Sequence, residues 1–217
     1  RTKCWQQRVN TYLFIYFGIR ESFKNGVVKF DTDKSNLNLS IYVDGIPIFK
    51  TSRQQFWPIL ASIDDNDPFT VTLYVGKSKP KKCERFFEDF VDELLNIYDE
   101  DITCNGKTYE LRFKTLHFDS PARSFCLLSP QFNSKDGCFR CDAKGFYSHR
   151  RVCFPVTAGN PRNMETDYPI NEEFNTTPLR RIPFIDLIKD VILDSMHVID
   201  LGILRKLFAL WKGSLPP

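Results

Sequence analysis

Two aspartates, Asp44 and Asp119, each follow a run of residues that is typical of a β-strand. Asp44 closes the apolar run 37–43, and Asp119 closes the alternating run 108–118. Because ligands bind beyond the carboxyl ends of strands in an open α/β sheet, we expect the two carboxylates to converge. Mg²⁺ and Mn²⁺ prefer oxygen ligands, and two such ions can flank a phosphate during its transfer. The pair therefore predicts a two-metal site for phosphodiester chemistry.

Each aspartate also has a simpler structural interpretation. The dipeptide Asp44-Gly45 between apolar runs is a strong signal for a hairpin turn. Asp119 is well placed to cap a short helix that Pro121 would open. Taken alone, each residue favours its structural role. The presence of both at strand ends, in the order strand, strand, strand, helix, strand, helix, shifts the balance towards a shared site.

A second set of residues has the spacing of a zinc site. Cys138 and Cys141 form a Cys-x-x-Cys pair in a predicted loop, and His149 and Cys153 follow them. Thiolate and imidazole ligands at such spacings suit tetrahedral Zn²⁺, which would be structural here. The alternatives are a redox pair, whose usual βαβ context is absent, or two free cysteines. The odd total of seven cysteines indicates an intracellular reducing compartment rather than a disulfide framework.

Asp194 and His197 lie three residues apart in an apolar helical pattern, so they are expected to share one helix face. A lone histidine on such a helix is usually a core residue. Here Asp194 could orient His197, or His197 could be an alternative zinc ligand. Further candidates are basic residues in exposed positions, which are either solvated or in contact with nucleic-acid phosphates. These are Lys77, Lys79, Lys81, Lys82, Arg150 and Arg151.

The composition is that of a folded globular protein. The chain has 217 residues, of which 42% are hydrophobic and 14% aromatic, enough to bury a large core. A net charge of +3 permits nucleic-acid binding without requiring it, since dedicated DNA-binding modules are usually more basic. No apolar run is long enough to cross a bilayer, so we expect no membrane partner.

Hydrophobic periodicity predicts the elements that would position these residues, the strands and helices of an α/β fold. Alternating β-formers predict strands over residues 37–43, 48–63, 69–75 and 108–118. Apolar residues at helical spacing predict an amphipathic helix over 84–98. A longer helical pattern covers 183–211 and is interrupted near Gly202.

Composition shifts divide the chain into four parts. Segment 133–178 is rich in Cys, Gly, Asn, Pro and Arg and is long for a structureless connection, so a metal is expected to hold it. The parts are an N-terminal flanking segment packed on the core (1–36), the α/β core (37–132), the inserted zinc-binding segment (133–178) and a C-terminal helical segment with the Asp-x-x-His pair (179–217).

Five blocks of sequence occur in order between residues 37 and 212. They read DGIPIFKTS with QFWPIL (44–60), GKSKP with FFEDF (76–90), FDSPARSF (118–125), GCFRC with RVCFP (137–155), and DSMH with LG and LFALW (194–211). Together they resemble the blocks DGxPxFKSS…QFWPIL, Gly-x-x-Lys-Pro, DAPARAF, RVxFP and DYMHLxxLGxxxKLLxxW of CACTA-type (En/Spm-like) transposases and their invertebrate relatives. Five ordered blocks make the likeness specific.

This resemblance implies a ribonuclease H-like catalytic core, in which helices flank a mixed sheet. Such a core would perform Asp-Asp-Glu metal chemistry on transposon-end DNA in the nucleus. By this likeness Asp44 and Asp119 match the first two catalytic acids, and Asp194 and His197 match an Asp/Cys-x-x-His signature. In the full-length protein, which the family suggests is a homo-oligomer, water and then a DNA 3′-hydroxyl would attack phosphodiesters across two Mg²⁺ ions.

The third acid of the family is expected on a helix after that signature, and no good candidate precedes Pro217. We therefore expect a DDE-type transposase core fragment that is inactive by itself. The alternative is a domesticated, non-catalytic module that keeps the fold as a DNA- or protein-binding surface. A third interpretation, a zinc-stapled interaction domain, would apply if Asp44 and Asp119 lay far apart.

Overall fold

The computed structural model describes residues 5–9, 12–49, 53–157, 159–164 and 176–213. Residues 50–52 of the first resemblance block lie outside the described residues, as do residues 165–175 of the predicted zinc-binding segment. Every candidate site residue named above lies within the described ranges.

The described chain is a mixed α/β fold in which one curled sheet carries several helices. The strands are β1 (Trp5–Val9), β2 (Tyr12–Tyr16), β3 (Asn36–Val43), β4 (Ile46–Pro47), β5 (Gln55–Ile63), β6 (Phe69–Gly76), β7 (Ile102–Cys104), β8 (Lys107–Phe118), β9 (Phe146–Ser148), β10 (Arg151–Cys153) and β11 (Val191–Leu193). The helices are α1 (Ile19–Lys24), α2 (Cys83–Glu100), α3 (Ser120–Cys126), a 3₁₀ turn (Pro178–Arg181), a π-helical stretch (Met196–Leu204) and α4 (Arg205–Trp211).

The main sheet has the strand order β1-β2-β6-β5-β3-β8-β11. Each neighbouring pair in the first part of this order is antiparallel: β1–β2, β2–β6, β6–β5 and β5–β3. The pairs β3–β8 and β8–β11 are parallel. Strands β3, β6, β8 and β11 therefore all run in one direction, and their carboxyl ends lie at the same edge of the sheet. We call this the carboxyl edge.

Strand β3 is an interior strand of this sheet, paired with β5 on one side and β8 on the other. Leu37, Leu39, Ile41 and Val43 are each at most 1% exposed, as the alternation in the sequence predicts. The strands predicted at 69–75 and 108–118 and the helix predicted at 84–98 are likewise confirmed, with boundaries that differ by one or two residues.

One buried carboxylate connects helix α2 to the N-terminal part of the sheet. Glu93 is 1% exposed and accepts hydrogen bonds from the Tyr16 hydroxyl and from the backbone N–H groups of Ile19 (2.7 Å) and Arg20 (3.0 Å). These donors satisfy carboxyl oxygens that would be costly to bury without hydrogen-bond partners. The contact joins β2 and α1 to the body of the protein.

The prediction of a long helix over 183–211 is wrong for its first half. Val191–Leu193 forms strand β11, which pairs with β8, and the helical part begins only at Met196. The periodicity of a short apolar run fits a strand or a helix equally well. Here the run forms a strand because it pairs with the open edge of β8. The irregularity predicted near Gly202 falls in the π-helical stretch that precedes α4. None of the described helices is long and apolar enough to span a membrane.

Candidate active site at the carboxyl edge of the sheet

Three aspartates lie side by side at the carboxyl edge, one after each of the parallel strands. In the registers of the sheet, the last residue of β8, Phe118, pairs with Val43 of β3 and with Leu193 of β11. The next residues are Asp44, Asp119 and Asp194. Adjacent strands lie about 4.8 Å apart, so the three backbones are close neighbours. All three residues line one cavity of about 430 Å³.

The position of Asp44 is set by close packing of the turn that follows it. Its Oδ1 accepts a hydrogen bond from the Gly45 backbone N–H at 2.6 Å. A Cβ on Gly45 would lie 2.6 Å from the Trp57 ring, so only glycine fits there without moving the indole. The hairpin interpretation of Asp44-Gly45 is wrong, because β4 pairs with β5 and not with β3.

Asp119 caps a helix, as the sequence predicted, and it also lies beside the other two aspartates. Its Oδ1 accepts a hydrogen bond from the Ala122 backbone N–H at 2.6 Å, which caps α3. Its carboxylate also belongs to the row of acids. Burial raises the pKa of Asp119, and the negative charges of Asp44 and Asp194 raise it further, against the opposing effect of the capping N–H and of His197. A cation bound here would relieve this repulsion.

Asp194 orients His197, as one of the open alternatives proposed. The His197 Nδ1 lies 2.5 Å from Asp194 Oδ2, and the Met196 backbone N–H donates to Oδ1 at 2.8 Å. Burial alone would raise the pKa of Asp194, but these hydrogen bonds outweigh it and lower that pKa. The Asp194 carboxylate raises the pKa of His197, and the charges of Asp44 and Asp119 act in the same direction.

Sequence reasoning placed Asp194 on a helix and so did not include it in the row of acids. A repeated pattern in the sequence could have identified Asp194. Three apolar or aromatic-rich runs are each followed by an aspartate, at positions 44, 119 and 194. Two further lining residues were also missed. The rings of Tyr42 and His117 stack with centroids 4.4 Å apart, and both residues line the cavity. Burial lowers the pKa of His117.

The basic candidates lie on two separate elements. Lys77, Lys79, Lys81 and Lys82 are exposed on the loop that joins β6 to α2 at the carboxyl edge. Lys79 Nζ lies 5.7 Å from the centroid of the Phe125 ring, which belongs to α3. The other two candidates, Arg150 and Arg151, are exposed on the β9–β10 hairpin.

The structure brings two of the predicted zinc ligands together. The Sγ atoms of Cys138 and Cys141 are 3.3 Å apart. Backbone N–H groups of Ala143 and Gly159 and the Cys138 side chain hydrogen-bond to Cys141 and lower its pKa, which favours its thiolate.

The remaining zinc candidates lie on other elements. His149 lies in the β9–β10 turn with Nδ1 2.9 Å from the Ser148 hydroxyl, Cys153 ends β10, and His197 pairs with Asp194. Among the residues that the structure describes, no group of three or more His, Cys, Asp or Glu side chains is arranged to hold one metal ion. This holds for the aspartates at the carboxyl edge as well as for the cysteine pair.

Comparisons with known proteins do not assign this chain to a family. No protein-family model matches the chain, and no curated protein sequence matches it. The function is therefore inferred from the residues at the carboxyl edge and from the ordered sequence blocks.

Proposed function

We propose that this chain is part of the catalytic core of a CACTA-type DNA transposase with a ribonuclease H-like fold, and that it acts on transposon-end DNA in the nucleus as part of a homo-oligomer. One observation carries the proposal. Asp44 and Asp119 follow the paired ends of two adjacent parallel strands, β3 and β8. Their separation of 75 residues in the chain makes this convergence a property of the topology and not of local sequence.

The chemistry of this donor set fits a hard divalent cation. Carboxylate oxygens are the preferred ligands of Mg²⁺ and Mn²⁺. Burial is the main reason why the pKa of Asp119 is raised, and the negative charges of Asp44 and Asp194, which a cation would offset, raise it further. Asp44 and Asp119 would hold the ion, and the N–H groups of Gly45 and Ala122 orient their carboxylates. When bound, the metal would polarise a phosphoryl oxygen and activate water as a nucleophile.

The third carboxylate of the row has a positioning role in this proposal. Asp194 is hydrogen-bonded to His197, so its charge favours the protonated imidazole next to Asp44 and Asp119. Because the described residues contain no assembled group of three ligands, metal affinity is expected to be weak. The 217-residue chain alone should then lack robust Mg²⁺-dependent cleavage of DNA, and such cleavage would contradict this part of the proposal.

The proposal is tested by anomalous diffraction from crystals soaked in Mn²⁺. We expect a manganese peak between the carboxylates of Asp44 and Asp119, and its loss in Asp44→Asn. The matched control is Asp99→Asn, which removes an exposed carboxylate on α2. Absence of a peak in the unmodified protein at saturating Mn²⁺ would refute the proposed metal site.

We also propose that Cys138 and Cys141 supply two thiolates to a structural Zn²⁺. The proximity of the two sulfurs and the N–H donors around Cys141 support this assignment. Elemental analysis of the purified protein should give zinc in proportion to protein, and Cys141→Ser should abolish it. Zinc retained at the same level in Cys141→Ser would show that the metal is held elsewhere.

A second candidate function is a domesticated module that binds DNA or protein without catalysis. The observation that favours it is the same lack of an assembled three-ligand group within the described residues. The two functions differ in the manganese experiment, since a module of this kind does not require metal at the carboxyl edge.

A further inference from the structure

A second cavity, of about 510 Å³, lies beside the basic loop. It is formed between the β1–β2 hairpin, the end of β6 and the start of α2. Its size falls within the range of cavities that hold small organic ligands, about 300–1,000 Å³. None of the carboxylates of the candidate active site lines it.

One wall of this cavity is aromatic. Tyr12 and Tyr74 stack with ring centroids 5.4 Å apart and planes inclined by 28°. Tyr74 and the neighbouring lining residue Phe86 are buried, while Tyr12 remains partly exposed. The wall is therefore a rigid π-surface with one accessible ring, which suits a flat aromatic ligand.

The rim of the cavity is cationic. Lys77, Lys81, Lys82 and Arg85 line it and are exposed. Within the described part of the chain, none of the four forms an ion pair with a carboxylate. Four cations around an aromatic wall create a site for a ligand that is planar at one end and anionic at the other.

We propose that this cavity binds one unpaired nucleotide of a single-stranded DNA segment. Its base would stack on Tyr12, and its phosphates would contact Lys77, Lys81 and Arg85. Base–aromatic stacking contributes about 1–3 kcal/mol per base and requires an exposed base face, which the interior of a paired duplex does not offer. The basic rim then holds the backbone through its charge, as in other grooves for single strands.

The cavity is placed to guide a strand to the candidate active site. Strand β6 runs parallel to β3 and lies two strands from it, so the loop after Gly76 rises about 10 Å from the strand that ends at Asp44. The Phe86 ring on the cavity wall packs edge-on against Phe125 of α3, with centroids 5.7 Å apart. Lys79 lies over the same Phe125 ring. One aromatic contact thus separates the cavity from the helix that Asp119 caps.

The choice of DNA rests on the proposed function, whereas the preference for an unpaired nucleotide rests on the cavity alone. The test is fluorescence anisotropy of the 217-residue chain with a labelled oligothymidylate, with the blunt duplex of the same length, and with thymidine monophosphate as competitor. We expect the single strand to bind more tightly than the duplex, and the monophosphate to compete poorly.

Variants separate stacking from charge. Tyr12→Ala should weaken single-strand binding about tenfold, and Tyr12→Phe, which keeps the ring, should not. Lys81→Gln should lower the slope of log affinity against log salt concentration by about 0.7. The matched control is Lys114→Gln, which removes an exposed charge that is paired with Asp65 at 2.7 Å, away from the cavity.

Three results would overturn the proposal. Equal affinity for single strand and duplex, with Tyr12→Ala unchanged, would mean binding by surface charge only. Competition by thymidine monophosphate at the affinity of the oligonucleotide would mean a site for free nucleotides. Binding that Tyr12→Phe weakens as much as Tyr12→Ala would mean that the ring does not stack. Failure of the proposed function is distinguishable from failure of this inference. If only the proposed function is wrong, crystals soaked in Mn²⁺ will show no peak at Asp44, while single-strand binding will still depend on Tyr12.

Discussion

Asp119 combines a helix cap with a charge in a row of acids, and two substitutions separate these roles. Asp119→Asn keeps an oxygen that can accept the Ala122 N–H but removes the charge, and Asp119→Ala removes both. Loss of a cap costs about 1 kcal/mol, which corresponds to about 2–4 °C in Tm for a protein of this size. We therefore expect Asp119→Ala to be less stable than Asp119→Asn by about 1 kcal/mol.

The sign of the charge effect follows from the raised pKa of Asp119. A carboxyl whose pKa is higher in the folded state than in the unfolded state binds its proton more readily when folded. Its ionised form therefore lowers stability above the folded pKa, and this cost disappears below the usual pKa of an aspartate. Asp119→Asn should then be at least as stable as the unmodified protein at pH 7.

Bound Mn²⁺ should make the unmodified protein more stable than Asp119→Asn. A ligand present at ten times its dissociation constant stabilises the folded state by about 1.4 kcal/mol. The unmodified protein should gain this stabilisation and Asp119→Asn should not, as measured by urea denaturation with and without Mn²⁺. Two outcomes would refute the reasoning: equal stability of the Asn and Ala variants, or equal stabilisation of Asp119→Asn and the unmodified protein by Mn²⁺.

Three further predictions follow from other sites. In metal-free protein at pH 8, iodoacetamide should modify Cys141 well before Cys83, because burial raises the pKa of the Cys83 thiol to about 12 while hydrogen bonds lower that of Cys141; equal rates by mass spectrometry would contradict this. In NMR titrations His197 should titrate above its usual pKa and His117 below it, and the reverse order would contradict the ring environments described above. Glu93→Ala should lower the free energy of unfolding by about 3 kcal/mol, because it leaves buried donors without an acceptor; an effect below about 1 kcal/mol in urea denaturation would contradict this.

The sequence alone determined the elements whose hydrophobic pattern is long and regular. Strand β3 and helix α2 were predicted correctly, because alternation over 37–43 and helical spacing over 84–98 leave one arrangement that buries their apolar residues. The capping role of Asp119 was also visible, since it depends only on the residues that follow it. These features are local, and local sequence is sufficient to specify them.

Tertiary structure decided which residues meet. The apolar run 191–193 became a strand because β8 offered an unpaired edge, and this placed Asp194 beside Asp44 and Asp119. The aromatic cavity next to the basic loop likewise needed β2 to pair with β6, which brings Tyr12 against Tyr74. Such contacts join residues far apart in the chain, and their free energy comes from pairing and burial that no single segment contains. The candidate ligands were therefore readable from the sequence, but their grouping was a property of the fold.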